Sequence, residues 1–240
     1  MDKNIKQAAF DFKPSPAYLR EDFMASECNA RALNAIELFP NWPFFALSIY
    51  GPKGCGKTHL AHIFKQKVLL SIGKPTAFEM IDAKEVKMRK VPYLHKNFNY
   101  LVVENVHSGI DEEAFFHLFN LYQNEGGYLL LTSEMPLSRL GLKLADLKSR
   151  LKMVPSIAIL EPSEDMLEAL IVKLFSDRQI VVSLDVLNYI LQNMERSFSY
   201  ALKLIERIDE ISLSLKRAVT IPIVKKAMQQ IAHHEQQELF

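Results

Sequence analysis

Eight residues constrain this chain more than any other feature. Gly51-Pro52-Lys53-Gly54-Cys55-Gly56-Lys57-Thr58 fits the pattern Gly-x-x-x-x-Gly-Lys-Ser/Thr in full. Before it stands Ala46-Leu47-Ser48-Ile49-Tyr50, a short apolar run that reads as a buried strand. After it, His59 to Ser71 carries Leu60, Ile63, Phe64, Val68 and Leu70 at helical spacing, with Gly73 placed to end the helix. Strand, glycine-rich loop and helix in that order build a phosphate cradle. The glycines let the backbone wrap so that its N–H groups face phosphate oxygens. Lys57 brings a charge to the outer phosphates, and Thr58 offers a hydroxyl to Mg²⁺. The helix start adds its positive end. Residues 51–58, with His59 behind them, are therefore the expected nucleotide-binding set.

The pattern around the loop alternates. Arg20 to Phe39 predicts a helix starting near Ser26 and closed by Pro40 and Pro43. Thr76-Ala77-Phe78 reads as a strand, residues 83–88 as a short helix, and Tyr100 to Val103 as a buried strand. Glu112 to Tyr122 shows a helical face of Ala114, Phe115, Leu118, Phe119 and Tyr122. Tyr128 to Leu131, a turn at Pro136, a short helix around Leu144 to Leu151 and a strand over Ile157 to Leu160 complete the series. Such alternation, with continuously apolar strands, predicts a parallel sheet covered on both faces. Beyond Pro162, residues 163–178, 184–194, 198–215 and 221–232 are all helical by period, with Ser163 and Ser183 as N-caps. The third presents Phe198, Leu202, Ile205, Ile208, Ile211 and Leu215 on one face. The expected organisation is a tail (1–16), an α/β nucleotide-binding domain (17–161), an all-α lid (162–232) and a second tail (233–240).

Composition narrows the partners. With 29 Lys+Arg against 28 Asp+Glu, the net charge of +1 argues against a protein that coats DNA. Lys84, Lys87, Arg89, Lys90 and Lys96 form a local basic cluster, read first as solvated surface. Cys28 and Cys55 are too few for a disulfide framework or a thiolate metal site. His233 and His234 lack the helical spacing of a metal-ligand pair. No apolar run approaches the ~18 residues of a membrane span, and the start lacks the stretch of a secretory signal. The expectation is a cytoplasmic bacterial protein without a membrane partner.

A phosphate loop needs an acid at a neighbouring strand end to hold Mg²⁺. Leu101-Val102-Val103-Glu104-Asn105 supplies Glu104, followed by Asn105. An amide cannot act as a base, so intrinsic hydrolysis is expected to be slow. Glu104 as an ordinary polar strand end is the plain alternative.

From here the chain resembles the DnaA/Hda family of AAA+ proteins, and within it the short Hda-like branch that inactivates the replication initiator. The resemblance is carried by Gly51 to Leu60 (GPKGCGKTHL) and by Leu131-Thr132-Ser133-Glu134-Met135-Pro136, similar to a sensor-1 strand and turn. It is also carried by Leu144 to Leu151 (LADLKSRL), similar to a segment presenting an arginine to a neighbour's nucleotide, and by Thr220 to Lys225 (TIPIVK). It spans about residues 7–231. It implies an AAA+ fold with a lid, and ADP or ATP with Mg²⁺ held by Thr58 and Glu104. It further implies sensor-1 roles for Thr132, Ser133 and Glu134, and makes Arg150 an arginine finger acting in trans. A surface arginine paired with Asp146 four residues earlier is the alternative for Arg150. At the position of a second sensor arginine this chain has Ser199, with Arg196 three residues before it.

Gln7-Ala8-Ala9-Phe10-Asp11-Phe12 resembles a sliding-clamp-binding peptide, with Gln7, Phe10 and Phe12 as contacts; Ala8 and Phe10 stand where leucine is common. Packing of both Phe on the chain's own domain is the alternative. Gln236 to Phe240 has a similar skeleton. The expected partners are the DNA polymerase sliding clamp and the DnaA initiator, with a homo-oligomer possible. No helix-turn-helix domain follows the lid, so sequence-specific DNA binding is not expected. The expected role is to stimulate ATP hydrolysis by the initiator. The rival is a stand-alone AAA+ ATPase or loader, hydrolysing ATP in its own homo-oligomer.

Overall fold

The computed structural model describes residues 18–72 and 77–237. Five parallel strands run β1 (Ala46–Tyr50), β2 (Phe78–Asp82), β3 (Tyr100–Glu104), β4 (Tyr128–Ser133) and β5 (Ser156–Ala158). Their order across the sheet is β2-β3-β4-β1-β5. In a strand, alternate residues face opposite sides, and here the alternation sorts two cores. Leu101, Val103, Leu129 and Leu131 pack on one face, with Val91 and Leu94 of α3 (Val91–Asn97) and Phe115, Leu118 and Tyr122 of α4 (Glu112–Glu125). Leu147 and Leu151 of α5 (Ala145–Met153) join that face. Val102, Leu130, Leu47 and Ile49 pack on the other, against α1 (Ala30–Glu37) and Leu60, Ile63, Phe64 and Val68 of α2 (Lys57–Ile72). Strands buried on both faces are apolar throughout, which is why the sequence gives so plain a signal there.

Four helices follow: α6 (Glu164–Asp177), α7 (Leu184–Asn193), α8 (Phe198–Leu215) and α9 (Ile221–Gln237). They enclose a core of their own, built on Ile171, Phe175, Ile190, Leu204, Ile205, Ile208 and Val224. The sheet and these helices make an α/β AAA+ fold with a helical C-terminal region.

Several expectations need correction. The first helix begins at Ala30, not Ser26, because Asn29 intervenes: its Oδ1 accepts the Ser26 N–H (2.8 Å) and its Nδ2 donates to the Met24 carbonyl (2.9 Å). Asparagine side chains compete with helix in this way. Residues 83–88 do not form one continuous helix. They form two 3₁₀ turns, Ala83–Glu85 and Met88–Lys90, leading into α3, which the pattern did not reveal. The second strand runs Phe78–Asp82, later than the expected Thr76-Ala77-Phe78, and Ala77 lies before it. The strand expected over 157–160 runs Ser156–Ala158. On α8 the buried stripe is Ala201, Leu204, Ile205, Ile208 and Ile211, while Leu202 and Leu215 are exposed. Ser163 and Ser183 stand at N-cap positions without a side-chain bond, whereas Ser197 caps α8 through Oγ, accepting the Tyr200 N–H (3.1 Å).

Candidate functional site

The loop between β1 and α2 is shaped by two left-handed glycines, Gly54 (φ 75°) and Gly56 (φ 102°). A side chain at either position would be strained. Its start is tied to the neighbouring strand, the Gly51 N–H donating to the Ser133 carbonyl (3.2 Å). Cys55 is buried in the core below the loop, and burial pushes its thiol above the usual range against the pull of Lys57. Pro52 and Lys53 face solvent. Lys57 donates from Nζ to the Gly51 and Pro52 carbonyls, both at 2.8 Å, so its ammonium is held at the loop mouth.

Three strand ends converge beside the loop. Thr58 donates from Oγ1 to Glu104 Oε1 (2.8 Å), bringing together the two residues expected to share Mg²⁺. Both offer hard oxygen donors suited to that ion. Asn105 follows in left-handed conformation (φ 58°); its N–H donates to Thr132 Oγ1 (3.3 Å) and its Nδ2 to Asp82 Oδ2 (2.8 Å). Thr132 and Ser133 are buried at the end of β4, and Ser133 Oγ accepts the Met135 N–H (3.3 Å). Glu134 is exposed, its N–H donating to His107 Nδ1 (3.1 Å). Asp82 went unnoticed in the sequence because the expected strand ends at Phe78, whereas the observed one runs to Asp82 itself. Burial would raise its carboxyl, but the Asn105 amide, the Lys84 N–H and the Lys84 charge together hold it below the ordinary value.

The helical region meets the loop directly. Ser199 donates its backbone N–H to the Gly54 carbonyl (3.4 Å), and a Cβ on Gly54 would lie 2.5 Å from Ser199 Oγ and 2.9 Å from Ser197 Oγ. Arg196 is not at the loop. It is exposed, and its Nη2 pairs with Glu164 Oε2 of α6 at 2.8 Å. From the other side, the segment before α1 folds over α2. Tyr18 stacks on His62 (4.4 Å), and His59 donates from Nε2 to the Leu19 carbonyl (2.8 Å). Phe23 meets His59 edge-on at 5.1 Å. Burial, then Lys65, pushes the His62 imidazole below its usual value.

Arg150 lies elsewhere, on α5. Its Nη1 donates to Gln123 Oε1 (2.7 Å) and its guanidinium sits 5.4 Å from the Phe116 ring centre, both partners belonging to α4. The pairing with Asp146 is replaced by this cradle. Gln7, Phe10 and Phe12 lie outside the described residues, as does the end of the Gln236–Phe240 stretch. Among the described residues no group of three or more His, Cys, Asp or Glu side chains is placed to hold a metal ion. Nor is any helix among them long and apolar enough to cross a membrane.

A parallel sheet of this order, a phosphate loop, a strand-end acid and a helical lid define a nucleotide-binding domain of the AAA+ class. The family described as the bacterial DnaA ATPase domain matches residues 15–158, and the one described as the Hda lid domain matches residues 164–228. The chain belongs to the DnaA/Hda family of AAA+ proteins. It is 25% identical over 227 residues to the chromosomal replication initiator protein DnaA of Aliarcobacter butzleri, covering 88% of this chain and 52% of that protein. The chain thus spans about half the length of that relative. Domain III of DnaA from Thermotoga maritima superposes with a TM-score of 0.76 at 20% identity, over 90% of this chain and 97% of that one. The AMPPCP-bound DnaA of Aquifex aeolicus does so at 0.68 and 20%, over 93% of this chain and 71% of that one.

Proposed function

We propose that this protein is an Hda-like negative regulator of replication initiation. It binds ADP or ATP at its own phosphate loop and stimulates ATP hydrolysis in the DnaA initiator through Arg150. The observation that carries the reading is the placement of Arg150. It is cradled by Phe116 and Gln123 on α4, beside none of the loop residues. A guanidinium presented in this way can enter a partner's site and stabilise the charge of phosphoryl transfer, an effect of ~10³–10⁵ in rate. The family membership and the lid match support the link to initiation.

The chain's own site fits a nucleotide with Mg²⁺. Gly54 and Gly56 shape the loop, Lys57 supplies a charge at its mouth, and the paired Thr58 and Glu104 oxygens stand ready for the ion. When bound, the ion would neutralise phosphate charge and fix the phosphate orientation. Asn105 offers no base, in keeping with a site that binds rather than turns over. The AMPPCP-bound relative supports adenine as the base. Residues 17–161 and 162–232 serve as nucleotide domain and lid. Gln7, Phe10 and Phe12 dock the protein on the sliding clamp in the bacterial cytoplasm.

Replacing Arg150 with Ala should abolish stimulation of initiator ATP hydrolysis while clamp binding, followed by fluorescence anisotropy, stays unchanged. Stimulation that survives the change sinks the finger assignment. Deleting residues 1–12 should remove clamp binding and leave nucleotide binding intact. A stand-alone ATPase would instead turn over ATP steadily with no initiator present.

A further inference from the structure

Every acid at the carboxyl edge of β2 and β3 is engaged by a neighbouring donor. Glu104 Oε1 accepts the Thr58 hydroxyl. Asp82 accepts the Lys84 N–H at Oδ1 (2.9 Å) and the Asn105 amide at Oδ2 (2.8 Å). In the sheet register Asp82 stands opposite Glu104. The two strands therefore end in two acids side by side, and the residue that follows Glu104 is an amide. The main chain of Asn105 is tied to β4 through Thr132 Oγ1, and its carbonyl accepts both the N–H and the hydroxyl of Ser108 at 2.8 Å. With its backbone fixed in the left-handed region, its side chain is turned sideways onto β2.

Water attacking a terminal phosphate needs an acceptor that orients it and takes its proton. The Asn105 amide has no basic atom, and Asp82 has both oxygens committed to N–H donors. We propose that Asp82 and Asn105 form a transposed acid–amide pair that lets the chain's own site bind ATP and withholds its hydrolysis. Asp82 is the positioning residue, fixing the Asn105 amide; exchanging the two side chains puts a carboxylate at the position after Glu104, one oxygen accepting the amide from position 82 and the other left uncommitted. This rests on the reading above, that the site binds ATP with Mg²⁺, and names the residues that keep turnover low. In the exchanged chain the new carboxylate holds a water whose oxygen bonds to the γ-phosphorus while the bond to the β–γ bridging oxygen breaks. ADP and inorganic phosphate form, and the water's proton passes to the carboxylate and on to solvent.

The test uses the full chain with Asp82→Asn, Asn105→Asp and both together. Thermal unfolding without nucleotide is the first readout. Asp82→Asn removes the charged acceptor, and Asn105→Asp sets two carboxylates about 3 Å apart, so each single change should lower Tm. The exchange restores donor and acceptor in reversed order and should recover most of the loss; simply additive losses overturn the pair. The second readout is ATP turnover with Mg²⁺ and no partner present. The double variant should turn over at least tenfold faster than the wild type, with nucleotide affinity within a few-fold of it. Retained binding with unchanged turnover overturns the proposal alone. A wild-type chain that binds no nucleotide overturns the site reading and this proposal with it.

Discussion

At the scale of single residues the structure turns on close approaches that leave no room for substitution. Gly54 combines φ 75° with a Cβ position 2.5 Å from Ser199 Oγ, so any side chain would both strain the loop and push α8 away. Gly54→Ala should therefore weaken nucleotide binding by tenfold or more, measurable by calorimetry with ADP and Mg²⁺; unchanged affinity would mean that the lid does not rest on the loop in solution. The glycine pattern was legible in the sequence, since the loop motif demands it. The serines that press on Gly54 were not, because Ser197 and Ser199 acquire meaning only when a helix 143 residues downstream folds back. Arg196 illustrates the same limit. Its type suited a phosphate contact, but Glu164, on a different helix, claims it.

At the scale of elements, α5 and the N-terminal segment show how position is enforced. Leu144 at the start of α5 makes no side-chain cap. Instead the Glu112 carboxylate of α4 accepts the N–H groups of Lys143 (2.9 Å) and Leu144 (2.6 Å). One end of α5 is thus held by Glu112 and the other by Arg150 on Gln123 and Phe116. Glu112→Ala should cost about 1 kcal/mol, as for a lost helix cap, and should lower the stimulation proposed for Arg150 without touching that residue; urea unfolding and the initiator ATPase assay read the two effects. The segment before α1 is held on α2 by Tyr18 stacked on His62. His62 has its imidazole pK lowered by burial and by Lys65, with Glu104 opposing and His59 adding to the effect. The fold thus prefers the neutral ring. The unfolded chain binds the extra proton below about pH 6.5, so this contribution is present above that pH and lost as pH falls through the folded value. Tm should decline from pH 7 towards 5, and His62→Asn should flatten part of that decline; an unchanged slope would remove His62 as its source.

At the scale of the whole molecule, the helical core and the two cores on the faces of the sheet meet around the phosphate loop. The helical core around Ile205 and Ile208 touches the α/β part through partly buried Met24 and through the seat of Ser199 on Gly54. Ile205 is fully buried, and Ile205→Ala should cost about 2–5 kcal/mol by cavity formation. Saturating nucleotide should stabilise the wild type by about 2.7 kcal/mol at a concentration near 100 times Kd. Lys57→Ala should lose most of that gain, seen as a vanished Tm shift on adding ADP and Mg²⁺.

What the sequence determined alone is whatever depends on local periodicity. The apolar runs of β1, β3 and β4, the helical spacing of α4 and α6–α9, and the glycines of the phosphate loop follow from strand and helix geometry, which each segment carries in itself. α3 escaped because Val91-Pro92-Tyr93-Leu94-His95-Lys96-Asn97 is too short for its spacing to stand out. Tertiary structure decided what needs two distant segments at once. It set Asp82 against Asn105, Glu112 beneath α5 and Ser199 on Gly54, and it gave Arg150 to Gln123 rather than to its helix neighbour Asp146. A side chain's polar partner is set by where the sheet and helices bring chain ends together, and hydrogen bonds form at distances of about 3 Å whatever the separation in sequence.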